Sequence, residues 1–411
     1  MLDIKFIREN PERVRDGAAS KNINVPIEEI LRLDQESREI SAALQELYAE
    51  RNRAAKERDI EVGREIKGEL DSKEAKLREI KERLDKLLAA IPNMPAPGVK
   101  IGKGEEDNEV VRKVGTPTKF SFKVRDHVEL GQMLDVIDID RATKVSGARF
   151  AYLKNEGVLL EFALVQFIFD TLAHDKFIPI IPPELIKTET MKRVGYMEHG
   201  GDEDMFHVEK DGLTLVGTAE HSMVAMHMDE TLLLRDLPLR YVGFSSAFRR
   251  EAGSYGKDTK GIIRVHQFDK VEMVSYTTPE QSAKEHEHLF ALEEKFFQAL
   301  EIPYQVVEMC TGDLGFVQAK KYDIEAWIPT QGKYREMTSA STLTDFQARR
   351  LNIKYQNGAE KAYAHTLNAT GFAIGRTLVA ILENYQEEDG SVRVPEVLKN
   401  YLNIDKISPK K

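Results

Sequence analysis

At 411 residues the chain is too long for one small core, and two domains are expected. Hydrophobic residues make up 41% and charged residues 31%, a globular balance, and no apolar run nears the roughly 18 residues that span a bilayer. The net charge of −10 does not exclude a nucleic-acid binder, because affinity follows local basic patches rather than the whole-chain sum. Met1 to Asn10 alternates apolar and charged residues, unlike a signal or transit peptide, and Met1 to Ala19 reads as one short helix. Pro26 then suits the start of the next helix. Leu33, Ile40, Leu47 and Ala54 recur at sevens, with Leu44 between them and polar Ser37 and Arg51 at other intermediate positions. A second series runs Leu70, Leu77, Leu84 and Ile91, interleaved with Ile66, Ile80 and Leu87. Such spacing marks a coiled-coil seam, and its lapse near Asp59 to Gly63 fits two helices folding back as an antiparallel hairpin over about 26–91. Each helix of roughly 30 residues would reach ~45 Å.

From the heptads alone, a dimerising coiled coil or a solvated spacer is as good a reading as a functional arm. Around the tip, six basic residues (Arg51, Arg53, Lys56, Arg58, Arg64 and Lys67) stand against four acidic ones (Glu57, Asp59, Glu61 and Glu65), leaving +2. That excess favours phosphate contact only slightly. Ile91 to Gly104 carries three prolines and three glycines, ends the arm and serves as a linker. Residues 1–104 are therefore expected to form an N-terminal domain and 105–411 a second one.

Beyond the linker the texture changes. The interrupted apolar patch Phe162 to Phe169 suits buried core. Strand-like runs, Tyr241 to Phe248 and Ile262 to Met273, sit among helical stretches such as Ala283 to Leu300. Clustered strands of this kind predict an α+β domain on an antiparallel sheet. No GxxxxGK[ST] loop, strand–GxGxxG–helix unit, Ser/His/Asp spacing or HExxH is present. Glu285-His286-Glu287-His288 reads as the solvated face of a charged helix rather than a metal site. The single cysteine, Cys310, excludes a disulfide framework and a cysteine-rich zinc site, so no structural zinc is expected. It reads as a small buried residue, and its solitude fits a reducing cytoplasm.

Three segments carry chemistry. Phe248-Arg249-Arg250-Glu251 leads through a Gly-rich loop (Ala252 to Gly261) to Arg264-Val265-His266-Gln267-Phe268. A strand–loop–strand would gather Arg249, Glu251 and Phe268 on one sheet face. Arg249 has the planar, always-charged fork that suits an α-phosphate, Phe268 a ring to stack on adenine, and Glu251 an acceptor for the adenine amine. Gly371-Phe372-Ala373-Ile374-Gly375-Arg376 enters a helix through Thr377 to Glu383, with Arg376 suited to the far phosphate and the other adenine face. Ile181-Pro182-Pro183-Glu184-Leu185 reads as an apolar strand leading through a double proline into a helix.

In order of type these resemble motifs 2, 3 and 1 of the class II aminoacyl-tRNA synthetases. Thr218-Ala219-Glu220, Lys270-Val271-Glu272, Cys310-Thr311-Gly312-Asp313, the stretch Thr344 to Arg350 and the close from Arg376 to Gln386 further resemble the seryl-tRNA synthetases, over nearly the whole chain. The resemblance implies serine contacts from Thr218, Glu220, Arg249, Glu272 and Thr370. It implies ATP contacts from Arg249, Glu251, Phe268, Glu336, Ser339 and Arg376, with magnesium at Glu336 and Ser339. Arg249, Arg376 and Glu336 would carry catalysis. The arm would clamp serine tRNA across a homodimer through the six basic tip residues, and the family's reach extends to selenocysteine tRNA. Thr370 stands where the family usually has serine, and His221-Ser222 replaces the common Val-Pro. Two rivals follow from the same residues: a paralogue loading a non-tRNA acceptor, which has no need of the arm, and an inactive RNA-binding paralogue, which has no need of Arg249, Glu251, Glu272, Glu336 and Arg376.

Overall fold

The computed structural model describes residues 1–252 and 260–410. The chain forms two compact units, Met1–Met94 and Pro95–Lys411. In the first, α1 (Ile4–Glu9) and α2 (Pro11–Ser20) precede the long helices α3 (Ile27–Glu57) and α4 (Ile60–Ala89). The expected single helix over Met1–Ala19 is thus two. Asn10 leaves helical geometry at φ −137°, and Pro11, which has no N–H to continue α1, starts α2 at its first position. Helices α3 and α4 pack along Leu44, Leu47, Ala54, Ile66 and Leu70, with Ile40, Tyr48 and Leu77 half-buried beside them. Near the base Leu88 is buried and Leu87 only partly, so the seam shifts by one residue, as a 3.6-residue helix drifts from a sevenfold repeat. The hairpin turns at Arg58, in left-handed conformation (φ 60°), whose N–H bonds Ala54. Asp59 then caps α4, its carboxylate accepting the Val62 N–H at 3.1 Å.

The second unit is built on eight strands: β1 (Glu109–Val114), β2 (Ile178–Ile180), β3 (Leu239–Phe248), β4 (Gln267–Thr277), β5 (Tyr304–Glu308), β6 (Lys320–Ile328), β7 (Lys333–Thr344) and β8 (His365–Ala373). Their order across the sheet is β1-β5-β6-β7-β8-β4-β3-β2, antiparallel except for the parallel edge pair β2–β3. Two helices, α5 (Glu156–Ala173) and α7 (Pro279–Ala299), supply the core of one face; α6 (Ala219–Ala225) and α8 (Ile374–Asn384) complete the surroundings. Phe167, Phe296, Phe297 and Phe372 meet there with ring centroids 5.7 to 6.4 Å apart.

Four local readings change. The strand expected from Ile262 begins at Gln267, and residues 262–265 instead line the wall of a cavity. Ile181 follows strand β2 rather than belonging to it. Phe162 faces outward at 58% exposure while Leu164, Val165, Phe167 and Ile168 are buried. Glu285 and His286 are buried, not solvated: Glu285 grips Arg240 through two hydrogen bonds of 2.6 and 2.7 Å, and His286 Nε2 bonds the Ala340 carbonyl at 3.0 Å. Cys310 is buried, its thiol directed at the Gly104 carbonyl at 3.3 Å.

Candidate active site

Strand alternation sets the site. Along β4, Val271 and Met273 enter the core, which turns Phe268, Lys270 and Glu272 to the opposite face. Along β8, Leu367 and Ala369 enter the core and Asn368 and Thr370 face the cavity. The register then slips: Glu272 pairs Thr370 but Val271 pairs Phe372, leaving Gly371 as the extra residue of a bulge. Parity reverses there, so Phe372 is core and Ala373 cavity-facing. A side chain at Gly371 would meet Ile168 Cδ1 at 2.9 Å and Val271 at 3.2 Å, so the packing there is close. A second slip between β6 and β7, where Ile324 pairs Thr338 and Glu325 pairs Glu336, makes Met337 the extra residue and returns Glu336 to the cavity side with Ser339 and Ser341.

Thr218, Glu220, Arg249, Glu251, Phe268, Glu272, Glu336, Ser339, Thr370 and Arg376 all line one cavity of about 530 Å³. At its inner end Thr218 caps α6, and its Oγ1 accepts from the Glu220 N–H and from Lys270 Nζ, both at 3.3 Å. Glu220 is held by Tyr196, whose hydroxyl lies 2.8 and 3.0 Å from the two carboxylate oxygens, and by Gln347 Nε2 at 3.1 Å. Gln347 is itself fixed by the Thr366 hydroxyl at 3.0 Å. Lys270 pairs with Glu272. Burial raises both carboxyls: Glu220 upward, relieved by Tyr196 and Gln347, and Glu272 to about 7, with Lys270 pulling down and Glu220 pushing up. His221 is buried beside Tyr196, with ring centroids 4.6 Å apart. Its Nδ1 accepts the Gly217 N–H at 3.3 Å. Burial, then Arg249 and Lys270, lower it to about 3, so it is a neutral ring at pH 7.

At the outer end Arg249 Nε donates to the Gly217 carbonyl at 2.9 Å, and its guanidinium sits 5.5 Å from the Phe268 ring centre. Glu251, at φ 53°, receives Arg264 Nη1 at 3.0 Å. Arg376 Nη1 bonds the Glu336 carbonyl at 3.1 Å and lies 3.2 Å from its carboxylate. The cavity walls push Glu336 up by desolvation although its side chain is 43% exposed, but Arg376 and Lys321 outweigh this and hold the carboxyl at about 2. Gly253 and Gly256, within the Gly-rich loop, lie outside the described residues.

Lys270 and Asn368, absent from the expected set, stand two residues from Glu272 and Thr370, and strand periodicity would have found them. Gln347 lies in the family-like stretch Thr344 to Arg350, which does not say that it meets Glu220, and Tyr196 carries no comparable signal; each reaches Glu220 from a distant segment. On the arm, Arg51, Arg53, Lys56, Arg58, Arg64 and Lys67 are all exposed, with Arg51 over the Tyr48 ring at 5.1 Å.

A sheet of this topology with two arginines and buried carboxyls around one cavity matches the class II core: a family model described as tRNA synthetase class II core domain (G, H, P, S and T) matches residues 205–385. A second, Seryl-tRNA synthetase N-terminal domain, matches residues 1–95. The serine–tRNA ligase of Dictyoglomus thermophilum is 43% identical, covering 100% of both chains. The crystal structure of seryl-tRNA synthetase from Pyrococcus horikoshii complexed with ATP superposes with a TM-score of 0.94 at 43% identity, covering 100% of each chain. The cytoplasmic serine–tRNA ligase from Naegleria fowleri in complex with AMP gives 0.91 at 33% identity, over 100% of this chain and 99% of that one. The chain belongs to the seryl-tRNA synthetases, ligases that join serine to tRNA.

Proposed function

We propose that the cavity activates L-serine with ATP as seryl-adenylate, releasing pyrophosphate, and passes the seryl group to the 3′-terminal adenosine of serine tRNA. The observation that carries this reading is the convergence of five separate segments, bearing all ten expected core residues, on one cavity. Its inner end holds the buried carboxyls Glu220 and Glu272, suited to an ammonium, with the hydroxyls of Thr218 and Thr370 alongside. Its outer end holds Arg249 and Arg376, suited to the α- and γ-phosphates, with Phe268 offering a ring to adenine. The serine carboxylate is ionised at neutral pH and attacks the α-phosphorus without a base, so catalysis rests on positioning and charge. Glu251 serves the adenine amine on its ring edge in this reading, with Arg264 steadying it.

Magnesium fits the outer end. Glu336 is held ionised and Ser339 shares its side of β7, two hard oxygen donors of the kind the ion takes. When bound, the ion would neutralise charge on the departing pyrophosphate. Serine is told from alanine by hydrogen bonds to its hydroxyl, since an analogue without it strands buried polar groups.

The arm is read as the tRNA clamp, its exposed basic tip meeting phosphates; selenocysteine tRNA is a second acceptor of the same kind. A homodimer is supported by an apolar margin at the β2 edge of the sheet. There Ile178 is 44% and Ile181 84% exposed, while α5 turns out Leu159 and Phe162 at 54% and 58%. No helix among the described residues is long and apolar enough to cross a membrane, and a cytoplasmic location accords with the lone thiol. Serine-dependent exchange of pyrophosphate into ATP tests the reading; well-folded protein without exchange would sink it. Size measurement in solution tests the dimer, and a monomer at micromolar concentration would remove it.

A further inference from the structure

Helix α7 runs beneath the core face of the sheet and carries Glu293, which is fully buried. Glu293 Oε1 accepts the Thr370 N–H at 2.9 Å, and its Oε2 accepts the Thr338 hydroxyl at 3.2 Å. Those partners stand on different strands at one structural event. Pairing of β7 with β8 runs from Thr344↔Thr366 to Ala340↔Ala369, and Thr370 and Thr338 lie just past that end. Each also adjoins a bulge, Thr370 before Gly371 and Thr338 after Met337. The two strands therefore separate here, and on the opposite face the separation carries Thr370 and Asn368 on one side and Ser339 and Glu336 on the other.

We infer that Glu293 is a positioning residue for the serine end of the cavity, clasping β7 and β8 where their ladder opens and so fixing Thr370. The inference rests on the proposed serine-activating reading. Where a ladder ends, a backbone N–H loses its cross-strand acceptor, and burial makes an unmet N–H costly. Glu293 supplies that acceptor from below the sheet, which sets the backbone of Thr370 and hence the direction of its hydroxyl. Burial first, then Asp323 from β6 and Glu272 from β4, raise this carboxyl well above its ordinary range. A neutral acid fits both contacts, and so does an amide. A glutamine can present its oxygen to Thr370 and its NH2 to the Thr338 hydroxyl.

The test compares Glu293→Gln and Glu293→Leu in serine-dependent pyrophosphate exchange, with KM for serine and ATP measured separately. Glu293→Gln is expected to stay within about twofold of wild type, while Glu293→Leu raises the serine KM by about tenfold or more and leaves the ATP KM within about twofold. Should Glu293→Leu not fold, Thr338→Val removes one contact alone and is expected to raise the serine KM by about threefold. An unchanged serine KM in the informative variant overturns the inference. So does an equal rise for both substrates, or a Glu293→Gln as impaired as Glu293→Leu. Exchange by the wild-type chain, measured first, judges the serine-activating reading itself; the variant-to-wild-type ratios judge Glu293.

Discussion

The arm and the cavity are made in opposite ways. The arm is two helices joined at Arg58–Asp59, and its seam follows from residues spaced at threes and fours along a continuous stretch. The ten expected residues of the cavity come from five segments spread between Thr218 and Arg376, and its shape depends on two places where sheet pairing slips. Regular geometry gives reach and a solvated surface; departures from it aim side chains. The arm should accordingly tolerate change at its surface and suffer from change at its seam, whereas the cavity should suffer from single polar substitutions.

Several substitutions would break that contrast if they behaved otherwise. The largest effect is expected at Arg249: on the proposed role, Arg249→Ala removes a positioned charge from the reacting phosphate and should lower pyrophosphate exchange by ~10³-fold or more. Next comes Leu70, which is 2% exposed in the α3–α4 seam. Leu70→Ala should destabilise the arm by about 3 kcal/mol, read as earlier loss of helical circular dichroism, with exchange unchanged.

A smaller effect sharpens the account of the inner end. Glu272 has its folded value raised to about 7, so the empty site holds a proton there at pH 6. In the proposed reading, serine's ammonium needs the ionised form. The serine KM should therefore be about tenfold higher at pH 6 than at pH 8, with a proton released on binding below pH 7. In Glu272→Gln that pH dependence should weaken, leaving what Glu220 contributes. The same raised value means the folded state binds a proton the unfolded chain has released between about 4.5 and 7, so this group's contribution to stability falls as pH rises through that window. Smallest is the effect at the tip, where Arg58→Ala should weaken tRNA charging a few-fold, more at low salt than at high.

Legibility divided along the same line. The heptads marked both long helices and the breaker between them, because helical packing is a local repeat; only the break at Asn10 and the drift to Leu88 escaped, each a matter of one residue's geometry. In the second unit the residues of Thr218-Ala219-Glu220, Phe248 to Glu251, Glu272 and Arg376 were visible as motifs and do meet in one cavity. Tyr196 carries no motif, and Gln347 stands out only as part of the stretch Thr344 to Arg350, because their purpose is to hold Glu220 and exists only once distant segments meet. Glu285 and His286 looked solvated for the same reason: their partners Arg240 and Ala340 come from strands far along the chain.

The central claim is that amino-acid activation belongs to the cavity and acceptor recognition to the arm. It is tested most directly by replacing Arg51, Arg53, Lys56, Arg58, Arg64 and Lys67 together with glutamine and measuring exchange and charging of serine tRNA side by side. Full serine-dependent exchange is expected, with the KM for tRNA raised by about 10²-fold. Equal loss in both assays from a folded protein, or charging as efficient as wild type, would contradict it.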